Sequence, residues 1–128
     1  MDNLILLKET ILAKGFVDEN EVRQLETILI KDNIIDLGKA NFLFDLNDVI
    51  SGFNNHSSWN TLFINAICDF LLNDETSPGY LDDSEIKWLE GKIINDGQID
   101  KLEQELLLTL KKKSKNFPKH LEYLLKYT

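Results

Sequence analysis

The chain reads as all-α, and three observations on its 128 residues predict that class. Residues 15–46 align with residues 79–110 at a constant offset of 64, without a gap. Identical pairs include Gly15/Gly79, Asp18/Asp82, Glu21/Glu85, Leu25/Leu89, Glu26/Glu90, Ile30/Ile94, Asp32/Asp96, Asp36/Asp100, Leu43/Leu107 and Leu46/Leu110. Self-similarity at a fixed spacing sets architecture before any single element is assigned. Each copy then carries two phrases that end one helix and begin the next. Finally, only two prolines and six glycines interrupt the chain, and no alternating apolar run suggests a strand.

The corner phrases are Gly15-Phe16-Val17-Asp18-Glu19-Asn20-Glu21 and Asn33-Ile34-Ile35-Asp36-Leu37-Gly38-Lys39. Their second-copy counterparts are Gly79-Tyr80-Leu81-Asp82-Asp83-Ser84-Glu85 and Gly97-Gln98-Ile99-Asp100-Lys101-Leu102-Glu103. Gly or Asn takes the left-handed conformation that ends a helix. The Asp then caps the next helix, its carboxylate accepting from exposed first-turn amides. Glu three residues on completes a capping box at Glu21, Glu85 and Glu103, with Lys39 the exception. Val17 and Leu81 stand at the staple position, facing Val22 and Ile86.

Periodicity predicts about seven helices in a single domain with an internal three-helix pseudo-repeat, the copies spanning about 2–52 and 58–113. The first helix covers about 2–14. The second, 18–31, turns Val22, Leu25, Ile28 and Leu29 inward, and the third, 36–52, turns Phe42, Leu43, Leu46, Val49 and Ile50 inward. Residues 52–58, rich in Gly, Asn and Ser, read as a hinge between the halves. The fourth helix, 59–72, is apolar nearly all round, which suits a buried central helix. Thr61, Asn65 and Asp69 break its apolar surround at four-residue spacing. They read as a seam that reaches the surface or a hydrogen-bonded core network; alternatively, Asp69 is a partly buried carboxylate with a functional partner. The fifth, 82–95, turns Ile86, Leu89, Ile93 and Ile94 inward, and the sixth, 100–113, Leu102, Leu106, Leu107 and Leu110. The last, about 118–127, starts at Pro118, a residue suited to a first turn.

Charge and composition narrow the class of function. Residues 1–110 hold eight Lys and Arg against 21 Asp and Glu, a net of −13, while residues 111–128 hold six Lys and one Glu, a net of +5. Phosphate would be repelled by such an acidic body, so nucleic acid is not the expected partner. The Lys111–Lys115 run is expected to complement the dipole at the sixth helix's C-terminus and meet the protein's own acidic surface; the alternative is a basic tail that touches membrane or RNA. No apolar run approaches the roughly 20 residues of a membrane span. Met1-Asp2-Asn3 lacks the start of a signal peptide, and the lone Cys68 suits a reducing compartment, so the expected location is cytoplasmic.

The duplicated acidic corner, Asp32-Asn33-Ile34-Ile35-Asp36 and Asp96-Gly97-Gln98-Ile99-Asp100-Lys101-Leu102-Glu103, resembles that of the TerB-like family of tellurite-resistance-associated proteins. The resemblance covers about residues 10–112. It implies an all-helical fold with a pseudo-repeat and a bacterial protein tied to stress and metal resistance. It also implies a divalent-cation site at Asp32, Asp36, Asp96, Asp100 and Glu103, with Asn33 and Lys39 departing from the family pattern. Oxygen-only ligands of this kind suit Ca²⁺, Mg²⁺ or Mn²⁺.

Other chemistry is sparse. An EF-hand loop needs oxygen ligands at positions 1, 3, 5 and 12. Placing Gly97 at position 6 puts Lys92 and Ile94 at the first two of these, and placing Gly79 there puts Thr76 and Pro78 at positions 3 and 5. His56 and His120 lie at no metal-ligand spacing with each other or with Cys68, and no phosphate loop or nucleophile–base pattern occurs. Trp59 and Trp88 read as packing residues. The expected function is a non-enzymatic binding or scaffold module with a protein partner, candidate for divalent-cation dependence. The alternative is a purely structural or adaptor domain whose acidic corners are only caps.

Overall fold

A computed structural model describes residues 2–29, 35–72, 79–94 and 99–125, and all its regular structure is helical, with no strand among the described residues. The elements in order are α1 (Asp2–Lys14), α2 (Glu19–Leu29), α3 (Leu37–Ile50), α4 (Ser57–Leu72), α5 (Asp83–Ile93), α6 (Lys101–Lys113) and α7 (Lys119–Leu125). No helix among the described residues is long and apolar enough to cross a membrane. The chain divides into two compact units, Met1–Ala66 and Ile67–Thr128.

In the first unit α1 lies against α2 and α3. The N–H of Gly15 closes α1 on the carbonyl of Ile11 at 2.8 Å, and Gly15 itself turns the chain at φ 85°, a conformation that costs glycine nothing. The core gathers Leu4, Leu7 and Ile11 with Val17, Val22, Leu25 and Leu29. To these α3 adds Ala40, Leu43, Phe44, Leu46 and Ile50. The start of α4 supplies Trp59, Leu62 and Phe63. The Phe63 ring meets Phe44 edge-on, centroids 5.0 Å apart.

Two expectations for α3 need correction. Val49 is exposed, and Phe44, not assigned inward, is fully buried. The inward row runs 40, 43, 44, 47, 50 at three- and four-residue steps, and position 49 falls off that row. Apolar character alone had placed Val49. Helix α4 also starts earlier than its apolar run, at Ser57, because His56 caps it. The His56 ring Nδ1 accepts the Ser58 N–H at 3.1 Å, and its carbonyl accepts from the Trp59 N–H at 3.0 Å.

In the second unit the rest of α4 buries Ile67, Cys68, Leu71 and Leu72. Helix α5 contributes Leu89 and Ile93, while Ile94, expected inward, is its exposed C-cap. Helix α6 contributes Leu102, Leu106, Leu107 and Leu110. Helix α7 packs beside α6, and Lys111 of α6 pairs with Glu122 of α7 at 3.0 Å. The polar stripe of α4 is entirely on the surface: Thr61, Asn65 and Asp69 are all exposed. Asp69 is therefore not a partly buried carboxylate.

Candidate functional site

The acidic corners are built by helix starts. Asp100 accepts the Glu103 N–H at 2.7 Å through Oδ1, and Glu103 Oε1 accepts the Asp100 N–H at 3.1 Å. Asp82 and Glu85 make the same reciprocal pair at 2.7 and 2.9 Å. So do Asp18 and Glu21, at 2.8 and 3.1 Å. At α3 only half of the box exists. Asp36 Oδ1 accepts from the Lys39 N–H at 2.9 Å, and a lysine side chain cannot accept in return.

Of the residues expected to hold a cation, Asp36, Asp100 and Glu103 are therefore at helix N-termini, each with an oxygen on a backbone amide. The structure brings Asp100 and Glu103 together. Asp32 and Asp96, with Asn33 and Gly97, lie outside the described residues. No group of three or more candidate ligands gathers among the described residues. Glu103 is 3% exposed, so its carboxylate belongs to the packed interior of the second unit.

The first corner carries an extra cation. Lys14 Nζ lies 2.7 Å from Glu21 Oε1 and 3.1 Å from Asp18 Oδ2. The hydrogen bond to Glu21 raises the Lys14 pKa above its ordinary value, and Asp18 contributes less. Asp18 is held below the ordinary carboxylate range, first by the Glu21 amide and then by Lys14. Lys14 Nζ also sits 4.8 Å above the Phe16 ring. In the second unit Lys115 Nζ stands 5.4 Å over the Tyr80 ring, and a Cβ at Gly79 would come within 3.3 Å of the Lys115 side chain.

An asparagine straps each of these entrances. Asn55 Oδ1 accepts the Val17 N–H at 2.9 Å and its Nδ2 donates to the Ile50 carbonyl at 2.8 Å. Asn116 Oδ1 accepts the Leu81 N–H at 2.7 Å and its Nδ2 donates to the Leu81 carbonyl at 2.9 Å. A neighbouring backbone bond backs up each strap, His56 N–H to Val17 carbonyl at 2.9 Å and Lys115 N–H to Gly79 carbonyl at 2.8 Å.

His56 joins an acid and a serine. Its Nε2 lies 3.1 Å from Glu19 Oε2 and its Nδ1 2.8 Å from Ser58 Oγ. The Ser58 amide also points at Nδ1, at 3.1 Å, so the imidazole caps the start of α4. Burial pushes the Cys68 thiol up to about 11.

One concavity was not anticipated. A groove of about 670 Å³ opens between α1 and α2, lined among others by Leu6, Thr10, Glu21, Gln24, Thr27 and Ile28. The signal available in the sequence was a mismatch in the repeat: Gln24 stands 64 residues before Trp88. No protein-family model matches the chain, and comparison with curated proteins and with solved structures returns no match.

Proposed function

We propose that the chain is a non-enzymatic, TerB-like binding or scaffold module whose two halves derive from one three-helix unit. Support for the duplication comes from the gap-free offset of 64 and from capping boxes at Asp18/Glu21 and Asp82/Glu85. The asparagine straps at Val17 and Leu81 support it too. The binding role rests on one observation above all, the open groove between α1 and α2. The groove sets the apolar Leu6, Leu7 and Ile28 among polar and charged side chains that include Asp18, Glu21 and Arg23, so it offers both contact area and orienting groups.

The engagement of Asp36, Asp100 and Glu103 with backbone amides favours the second reading for the acidic corners, in which they act as caps alone. A cation site at Asp32, Asp36, Asp96, Asp100 and Glu103 is the competing role. Calorimetric titration of chelator-stripped protein with Ca²⁺, Mg²⁺ and Mn²⁺ separates the two. Heat that disappears in Asp96→Asn/Asp100→Asn supports the cation; no heat in the wild-type protein leaves capping. The binding role is tested by placing a photo-crosslinking amino acid at Thr27 in the groove and at Lys112. A discrete protein adduct from position 27 alone supports it, and its absence at both positions refutes it.

A further inference from the structure

The two units differ where helix meets helix at the groove. In the second unit Trp88 packs edge-on against Phe70, centroids 5.1 Å apart at 69°. Stepping back 64 residues from this pair gives Gln24 and Leu6, both of which line the groove of the first unit. An indole and a phenyl ring are thus replaced by an amide and an isobutyl group. At that offset the first unit carries no ring at either position. Leu6, in the groove wall, is 62% exposed, an apolar side chain that solvent does not favour.

Charge says which kind of ring-bearing ligand fits. Residues 2–29 carry six Asp and Glu against three Lys and Arg, and residues 1–110 as a whole are net −13. The groove wall itself carries Asp18 and Glu21 against Arg23, and the exposed Glu9 and Glu26 lie on the same two helices. We propose that the α1–α2 groove binds an aromatic side chain presented by a lysine- or arginine-rich segment of a partner protein. This rests on the binding-module reading given above and specifies the partner's chemistry. The ring takes the place that Trp88 takes in the second unit, stacking against Leu6 and Ile28, and the flanking cations meet the acidic surface. Aromatic anchors in pockets carry a large share of interface energy, and complementary charge speeds and orients the encounter.

The test uses the full chain and a synthetic lysine-rich amphipathic peptide with a single Trp. Two companion peptides replace the Trp by Ala or every Lys by Glu. Amide shifts are followed by heteronuclear NMR. The Lys/Trp peptide is expected to shift Leu6, Thr10, Gln24 and Thr27 saturably, and each companion to bind about tenfold more weakly or worse. Gln24→Trp, which supplies the ring from within, is expected to lose the peptide while melting no lower than wild type. Thr27→Arg, at an exposed position, is expected to weaken it by charge. The proposal is overturned by no binding of the Lys/Trp peptide, by equal binding of either companion, by shifts outside the groove, or by unchanged binding to Gln24→Trp. A crosslinked adduct at Thr27 combined with any of those results keeps the binding module and removes this partner chemistry. Loss of both removes both.

Discussion

The indole N–H of Trp59 donates to Asn47 Oδ1 at 3.1 Å, and both residues are almost wholly buried, at 1% and 2% exposure. The bond joins the inward face of α3 to the first turn of α4 across the 51–56 loop. It lets a large aromatic side chain enter the core without orphaning its only donor.

Asn47→Leu is expected to destabilise the protein by about 1–3 kcal/mol, because the buried indole N–H then has no acceptor. Trp59→Phe in the same background removes the orphan and is expected to recover part of the loss. Urea melts of the two single variants and the double variant measure the coupling; strict additivity would show that the bond contributes nothing.

Loss of an N-cap should show at each box. Asp82→Ala and Asp100→Ala are each expected to cost about 1 kcal/mol. Asp18→Ala is expected to act in the same direction, with a pH signature. Asp18 titrates below its ordinary value in the folded state, so its contribution is complete above the unfolded pKa and is lost as pH falls through the folded one. Thermal melts from pH 6 down to pH 2 should therefore show wild type and Asp18→Asn converging at the acid end (pH values chosen about the roughly 3.9 of a free Asp). Parallel curves across that range would contradict the assignment.

The asparagine straps predict a matched pair of defects. Asn55→Ala and Asn116→Ala each remove two hydrogen bonds to part-buried backbone, for an expected cost of about 1–3 kcal/mol. Hydrogen exchange gives the local readout, with protection expected to fall first at the Val17 amide in one variant and the Leu81 amide in the other. Unchanged protection at those two amides would show that the straps close nothing.

Cys68 offers a clock for unfolding. Its side chain is 4% exposed and its thiol is pushed up to about 11 by burial, so iodoacetamide near pH 8 should label it only after the second unit opens. The labelling rate is expected to follow urea concentration with the unfolding limb. Rapid labelling of native protein would mean that the thiol reaches solvent in the folded state.

Much of this fold was legible because the corner chemistry is local. Asp18, Asp82 and Asp100 announce caps through the Glu three residues on, and the buried Glu21 and Glu103 are explained by that same spacing. Asn47 was not legible, since its partner lies on another helix and nothing in its own neighbourhood marks it as inward. Val49 misled for the opposite reason: an apolar residue beside an inward row looks like part of it. His56 acts as a cap that a Ser-rich loop disguised. The groove was hidden because a cleft is made by what is missing between two helices. Only the Gln24/Trp88 mismatch hinted at it. Asp32 and Asp96 fall outside the described residues, so the candidate cation site was legible only as its capping half.

The asparagine straps also bear on the order in which the chain can become native during synthesis. The Val17 amide finds its partner 38 residues later, at Asn55, and the Leu81 amide 35 residues later, at Asn116. Helix α2 can coil as soon as it leaves the ribosome, yet its entrance stays unlatched until the third helix and the following loop have emerged. Closing a loop of that length costs entropy that only the finished unit repays. Each half is therefore expected to lock in one late step, triggered by a single amide side chain, first at residue 55 and again at residue 116.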